Sequence, residues 1–400
     1  MNKALMNSSK ITPARYRVLI VLFIALVVLS CAQDSIFYDL SMEPEPKDPI
    51  IPGSPTNMAV VQGKLYVGTR MSKRIYYFDG TGWNYMSTEE GSLGELAAGS
   101  DGTNTYLYAL IFSKGDPLKS SMVRRYNPAT KKWDKEISHN DYSIQSLYSA
   151  GNILFAAGQD RSDTQKFDVL CFDLNLSSFT VNKESSFLKG AAIAGTDIYL
   201  ATSGNGVQKY DGTKVTNLAS TDPAYGKNIT GILSVVQSPN ETVIAVSNNG
   251  DIFTLNAGGS SFIRLISAGV NFTGAMGIWK NYDGASAWNP SLVLLGIRGE
   301  GTSRTHGYRE LPLDLTGKPV NTLRTPGDYT PSSVKNKPKY TSSIGTHPVM
   351  SIMQIPDAAE GGPVKYADAI AKDPEWEPPI FAATAKNGVW SYRGGQWNAE

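Results

Sequence analysis

The chain has 400 residues, more than the roughly 100–200 of one ordinary domain, so it holds either several domains or one large repeat architecture. Its 41% hydrophobic and 18% charged content is typical of a globular protein and excludes a wholly disordered chain, a collagen-like fibre and a polytopic membrane protein. The 37 Lys and Arg residues nearly balance the 36 Asp and Glu residues, so no large positive field indicates a nucleic acid partner. The 38 Gly, 22 Pro and 20 Tyr residues favour short strands and tight turns.

The first thirty residues have the pattern of an export signal. Lys3, Lys10, Arg15 and Arg17 precede an uncharged apolar run over residues 18–29, and no acidic residue lies among them. A membrane-spanning helix needs about 20 apolar residues, and this run is shorter. We therefore interpret residues 1–30 as a signal peptide.

The end of this segment, Val28-Leu29-Ser30-Cys31, resembles a bacterial lipobox. The resemblance implies cleavage before Cys31, acylation of the Cys31 thiol, and a membrane-anchored protein exported to the bacterial cell envelope, on its periplasmic face or on the cell surface. An ordinary cleaved signal and an uncleaved signal anchor are the alternatives. Cys171 is the only other cysteine, so the sequence predicts no disulfide framework.

Residues 31–55 are interpreted as the lipidated cysteine and a Pro-rich tether, because unpatterned prolines favour extended chain. One part of the tether, residues 36–40, has the composition of a β-strand. We consider its pairing with the last repeat unit as a hypothesis. Residues 56–400 form the predicted body of the protein.

A short strand of apolar, aromatic, apolar and small residues recurs along the body. Its second residues are Tyr66, Tyr108, Phe155, Tyr199, Ile244, Leu294 and Phe381. Their spacings are 42, 47, 44, 45, 50 and 87 residues, and all but the last match the roughly 40–50 residues of a propeller blade. An upstream apolar strand and two downstream strands complete each unit. The sequence therefore predicts an all-β, seven-bladed β-propeller of four-stranded antiparallel blades.

Two segments carry a family resemblance. Residues 122–133, with Tyr126-Asn127-Pro128 and Trp133, and residues 152–179, with Ala157-Gly158-Gln159-Asp160, resemble kelch repeats. The resemblance implies a kelch-like propeller in which the Tyr and Trp residues pack between blades.

The 87-residue spacing before the last unit admits two interpretations. An eighth, degenerate blade fits its length, but two loop insertions around a seventh blade fit its composition better. One insertion, residues 318–346, is rich in Pro, Lys, Ser and Thr; the other, residues 356–379, contains a predicted short helix over residues 365–372.

No known catalytic or cofactor motif occurs in the sequence. The three histidines, His139, His306 and His347, are scattered, and Cys171 has no partner at metal-ligand spacing, so we expect no metal and no cofactor. Nucleophile-elbow, zincin, Walker and dinucleotide-binding patterns are absent. Scattered carboxylates leave a glycosidase pair possible in principle, but the sequence nominates none.

Basic residues recur in the loops between the second and third strands of the units. In a propeller these loops share one face, so we predict a mildly cationic ligand-binding rim. Its members are Arg70, Lys73, Arg74, Lys114, Arg161, Arg298 and Arg304.

The leading functional hypothesis is a lipid-anchored, non-catalytic binding or assembly module of the cell envelope. Its expected partners are the membrane, through the anchor, and another envelope protein or an extracellular ligand. The alternatives are a hydrolase of extracellular glycans with an unrecognised carboxylate pair and a purely structural surface protein.

Overall fold

Strands dominate the described part of the chain and form seven separate antiparallel sheets. The structure, a computed structural model, describes residues 50–400 apart from residues 114–119, 184–185, 238–239, 257, 283–287, 299–306, 326–343, 345–347, 374–375, 386 and 394–395. All described residues belong to one compact unit. The predicted signal peptide, Cys31 and residues 36–40 lie outside the described residues.

Each sheet is one blade, built from strands that follow one another in the chain. Blade 1 contains β1 (Ala59–Val61), β2 (Lys64–Gly68), β3 (Arg74–Phe78) and β4 (Trp83–Ser87). Blade 2 contains β5 (Ser92–Ser100), β6 (Thr105–Phe112), β7 (Ser121–Asn127) and β8 (Lys132–Ser138). Blade 3 contains β9 (Tyr142–Ala150), β10 (Ile153–Asp160), β11 (Phe167–Asp173) and β12 (Phe179–Asn182). Blade 4 contains β13 (Phe187–Ala194), β14 (Asp197–Ser203), β15 (Gly206–Tyr210) and β16 (Val215–Asn217).

The remaining three blades follow the same plan, with one exception. Blade 5 contains β17 (Ile229–Gln237), β18 (Asn240–Ser247), β19 (Asp251–Leu255) and β20 (Phe262–Ser267). Blade 6 contains β21 (Phe272–Tyr282), β22 (Trp288–Ile297) and β23 (Tyr308–Pro312), and isolated bridges from Leu313 to Pro319 and from Glu310 to Arg324 extend its outer edge. Blade 7 contains β24 (Val349–Gln354), β25 (Ile380–Thr384), β26 (Val389–Arg393) and β27 (Gln396–Ala399). The predicted seven-bladed propeller is confirmed.

The recurring aromatic or aliphatic position of the sequence lies in the second strand of every blade. Its seven residues are at most 2% exposed, and they belong to the hydrophobic clusters between adjacent blades. Burial of a large apolar side chain stabilises the fold by about 1.5–3 kcal/mol. This one position therefore marks the core of each blade seam.

Six of the innermost strands contain a β-bulge near their start. The pairing register with the second strand shifts between Leu93 and Glu95, Ile144 and Ser146, and Leu188 and Gly190. The same one-residue shift follows Ile229 and Val349 in blades 5 and 7, whereas in blade 6 the pairing passes from Phe272 directly to Met276 and leaves three residues outside the ladder. A bulge leaves one residue outside the ladder and changes the direction of its side chain. In this way, the fold presents an additional residue near the ring centre in these blades.

Blades 1 and 7 meet without exchanging a strand in the described residues. The backbone N–H of Ile51 donates to the carbonyl of Glu400 at 2.9 Å, and the N–H of Met58 donates to Ser351 Oγ at 3.2 Å. The Glu400 carboxylate accepts from Trp83 Nε1 at 2.8 Å and pairs with Arg393 at 3.1 Å. Side-chain packing and these polar contacts close the ring.

A loop insertion in blade 7 also crosses this seam. It connects β24 to β25 and contains a 3₁₀ turn (Ala358–Glu360) and helix α1 (Tyr366–Lys372), so the predicted helix is confirmed. The N–H of Gly63 in blade 1 donates to Gly361 at 3.0 Å. Tyr366 is 2% exposed, and its ring lies 5.3 Å from that of Trp376. The insertion therefore joins blades 7 and 1 on one face of the ring.

The outer hairpins of blades 1, 4 and 6 share an Asp-x-Thr turn. The carboxylates of Asp79, Asp211 and Asp314 each accept hydrogen bonds from the backbone N–H and the hydroxyl of the threonine two residues later. These bonds, the Thr213 hydroxyl first, lower the pKa of Asp211 to about 2.

The turn at Asp211 makes the free energy of unfolding depend on pH in the acid range. A carboxyl with a lowered pKa contributes stability that is complete above its unfolded pKa of about 3.9 and is lost as pH falls toward the folded value. We expect wild type to lose its stability advantage over Asp211→Asn between about pH 4 and about pH 2. Urea unfolding of both proteins across this range measures the difference, and a constant difference would contradict the expectation.

Gly274 brings the innermost strands of blades 5 and 6 together. It has φ +97°, and a Cβ placed there would lie 2.0 Å from the Thr230 carbonyl oxygen. We expect Gly274→Ala to lower the free energy of unfolding by about 1–3 kcal/mol more than Gly212→Ala. Gly212 is the matched control because it has φ +95° with nothing within 4 Å of its Cβ position. Equal losses of unfolding free energy in Gly274→Ala and Gly212→Ala, measured by urea unfolding, would show that the contact of Gly274 with the Thr230 carbonyl does not restrict the residue at this position.

Candidate functional site

The innermost strands surround a central cavity of about 520 Å³. All seven blades contribute lining residues, through residues 57–60, 95–98, 145–149, 187, 189–191, 230–232, 273–276 and 350–353. In an antiparallel meander, the loops from second to third strands and the connections between blades lie on the same face. We call this face the channel face.

Arg70 and Glu95 form an ion pair at the cavity. Arg70 follows β2 in blade 1, and Glu95 lies in β5 of blade 2. Glu95 is 4% exposed, and its second oxygen accepts the N–H of Asn57 at 3.1 Å. Burial lowers the pKa of Arg70, whereas its electrostatic interaction with nearby Tyr148 raises this pKa. This ion pair holds the Arg70 side chain of the predicted rim in place and neutralises its charge.

Lys189 is a second cation of the cavity, which the sequence analysis did not identify. It lies at the bulge of β13, between the paired residues Leu188 and Gly190. Its Nζ lies 4.2 Å from the centroid of the Phe187 ring. Burial lowers the pKa of Lys189, and the charges of Arg298 and Arg70 lower it further. No described carboxylate lies within ion-pair distance of Lys189.

The predicted rim residues divide into two groups. Arg70 lines the cavity, whereas Lys73, Arg74, Arg161 and Arg298 are exposed on the channel face and do not line it. Arg298 follows β22, its backbone N–H donates to the Asn271 carbonyl at 2.8 Å, and its charge contributes to the lowered pKa of Lys189. Arg74 stacks over Tyr85 at 5.3 Å. Lys114 and Arg304 lie outside the described residues.

Carboxylates are scarce at the cavity. Glu95 is the one carboxylate among the described lining residues, and Arg70 occupies one of its oxygens. A glycosidase uses two carboxyl groups about 5–9.5 Å apart, and these lining residues do not provide such a pair.

Two further features concern chemistry outside the cavity. Within the described ranges, no group of three His, Cys, Asp or Glu residues has a geometry that could hold a metal ion. Burial raises the pKa of the Cys171 thiol to about 12, and Asn182 donates to its sulfur at 3.4 Å, so Cys171 is a core residue of blade 3.

A second cavity, of about 650 Å³, lies on the opposite face between the blade 7 insertion and blade 1. Trp279, Trp376 and Tyr392 line it together with Arg393. Arg393 is already engaged, because it pairs with Glu400. No helix in the described part of the chain combines the length and apolar character that crossing a membrane requires.

Comparisons with known proteins support the fold. No family model and no curated protein matches the chain. Among solved structures, a chain of the mitotic checkpoint complex is 10% identical with a TM-score of 0.52, over 88% of this chain and 93% of that one. The extracellular domain of a putative one-component system from B. thetaiotaomicron is 12% identical with a TM-score of 0.52, over 87% of this chain and 40% of that one. YCF48 bound to D1 peptide is 9% identical with a TM-score of 0.50, over 88% and 96%. These identities establish similarity of fold alone.

Proposed function

We propose that the protein is a lipid-anchored, non-catalytic binding module of the bacterial cell envelope, and that its channel face is the binding surface. The observation that carries the proposal is the positive charge at the centre of this face: Arg70 and Lys189, from blades 1 and 4, line the cavity, and Lys189 has no carboxylate partner among the described residues. Uncompensated charge that is partly removed from water favours an anionic partner. Blade loops on a rigid ring suit binding functions.

Two further points support this proposal. YCF48, a protein of similar fold, is described as bound to a peptide, which is consistent with a propeller face that binds a protein segment. The scarcity of carboxylates among the described cavity residues favours binding over glycan hydrolysis. The lipid anchor rests on the lipobox resemblance at Cys31, and the kelch-like relationship rests on the resemblance of two blades.

The anchor is tested by the mass of the mature amino terminus and by cell fractionation. We expect a diacylated or triacylated Cys31 at the first position and release of the Cys31→Ser protein from the membrane fraction. An intact residue 1–30 segment or an unmodified Cys31 would refute the lipoprotein assignment.

The binding surface is tested by site-specific photo-crosslinking in intact cells. Crosslinkers at positions 73 and 161 report the channel face, and crosslinkers at Thr81 and Thr213, which are exposed in outer-hairpin turns on the opposite face, are the matched controls. We expect a discrete crosslinked partner from the channel face only. The same adducts from both faces, or none from positions 73 and 161, would argue against the proposal.

A further inference from the structure

The central cavity combines positive charge with apolar, adaptable side chains. Lys189 supplies charge without an ion-pair partner among the described residues, and Arg298 lies close enough to lower its pKa. Met276, Met350 and Met353 line the same cavity, and Met350 is 40% exposed. Methionine is flexible and polarizable, and it accommodates apolar groups of different shape.

The position of Lys189 is unfavourable without a ligand. Arg70, Glu95 and Tyr148 line the same cavity, and Arg70 already pairs with Glu95. Lys189, whose ammonium group lies over the Phe187 ring, has no carboxylate partner among the described residues. A partly buried cation is stabilised when an anion binds beside it. The apolar surface beside it favours an anion that carries an apolar body.

We propose that the cavity binds a small amphiphilic carboxylate, with the carboxylate at Lys189 and its apolar body against the methionines. This proposal deepens the proposed function and rests on it only for the identity of the binding face. The Arg70–Glu95 pair forms one wall of the site. Lys189 is then the main residue that binds the carboxylate.

The test is calorimetric titration of a chain that begins at residue 32 and so retains the whole compact unit. The probes are octanoate, acetate and the neutral 1-octanol. We expect saturable octanoate binding at one site, binding of acetate weaker by at least about tenfold because burial of methylene groups is lost, and much weaker binding of 1-octanol. Octanoate that does not bind, or acetate or 1-octanol that binds as tightly as octanoate, would overturn the proposal.

Substitutions locate the site. We expect Lys189→Met to weaken octanoate binding by about tenfold or more, because a charge-assisted hydrogen bond is lost. Lys73→Met is the matched control, because Lys73 is an exposed cation of the same face that does not line the cavity, and we expect it to bind as wild type does. Binding that survives in Lys189→Met, or that falls equally in Lys73→Met, would overturn the assignment.

The pH dependence separates a direct role from a structural one. Because the pKa of Lys189 is lowered, we expect octanoate binding to fall with rising pH at a midpoint below the ordinary lysine value of about 10.4. An arginine stays charged, so Lys189→Arg should restore binding relative to Lys189→Met and remove this alkaline loss. An unchanged pH profile in Lys189→Arg would contradict the direct role. Failure of octanoate to bind while face-specific crosslinks persist would overturn this inference and leave the proposed function standing.

Discussion

Phe381→Ala is expected to lower the free energy of unfolding by about 3–5 kcal/mol, the usual loss for a large aromatic removed from a core. Phe381 lies in β25 of blade 7 and is fully buried. Its ring lies 5.5 Å from that of Phe78 and 5.6 Å from that of Trp83, both in blade 1. Urea unfolding with an unchanged m-value would measure the loss.

Phe155→Ala is the matched control for this seam. Phe155 occupies the equivalent position in β10, is fully buried, and lies 5.3 Å from the Tyr210 ring of blade 4. The seam between blades 3 and 4 lies within continuous chain, whereas blades 7 and 1 meet only through tertiary contacts. Similar losses in both variants would mean that the ring is closed as tightly at blade 1 as elsewhere. A full loss for Phe155→Ala with a small loss for Phe381→Ala would show an open seam in solution.

Asp134→Asn is expected to lower the free energy of unfolding by about 2–4 kcal/mol, because it leaves a buried guanidinium without its counter-charge. Arg125 Nε and one terminal nitrogen reach the two Asp134 oxygens at 2.9 and 3.1 Å. The other terminal nitrogen donates to the Leu174 carbonyl at 3.3 Å and to Asn175 Oδ1 at 3.1 Å. The Arg125 side chain is 8% exposed, so water does not replace the lost partner.

The neighbouring arginine provides the control for this prediction. The Arg124 side chain is 12% exposed, but its Nε lies 3.4 Å from Glu136 and a terminal nitrogen lies 3.5 Å from Glu89, and both carboxylates are 61% exposed. Because Arg124 keeps Glu89 when Glu136 is neutralised, and pairs with an exposed carboxylate contribute about 0–1 kcal/mol, we expect Glu136→Gln to change stability little in the same unfolding measurement. In Arg125→Met, the further change to Asp134→Asn should cost much less than it does beside Arg125. An equal cost in both backgrounds would mean that Asp134 stabilises the blade in some other way.

The sequence predicted the blade plan well because that plan depends on repetition. The recurring position from Tyr66 to Phe381 marks buried second strands, and every one of its residues is buried. The predicted helix at residues 365–372 forms as α1, because the strong helix formers Ala367, Ala369 and Ala371 follow Gly361-Gly362-Pro363. These features are local, so pattern and spacing were sufficient to find them.

The candidate site was predicted only in part because it depends on bulges and on packing across the ring. Arg70 was identified from its loop, whereas Glu95 and Lys189 lie in apolar innermost strands. A bulge has no period-two pattern, so strand alternation does not show which residue it redirects. One signal was present: Glu95 and Lys189 are each the sole charged residue of their strand, and each adjoins a glycine, Gly94 or Gly190.

The bulged residues of the innermost strands face the ring centre without taking part in the strand pairing that holds each blade together. Each bulged residue is excluded from the strand ladder, so its identity does not set the register that holds the blade together. Lys189 and Met350 occupy this kind of position in blades 4 and 7. Under the proposed binding of a carboxylate, exchange of these residues alone would change the charge that the cavity presents to a ligand, while the strand register of each blade stays the same.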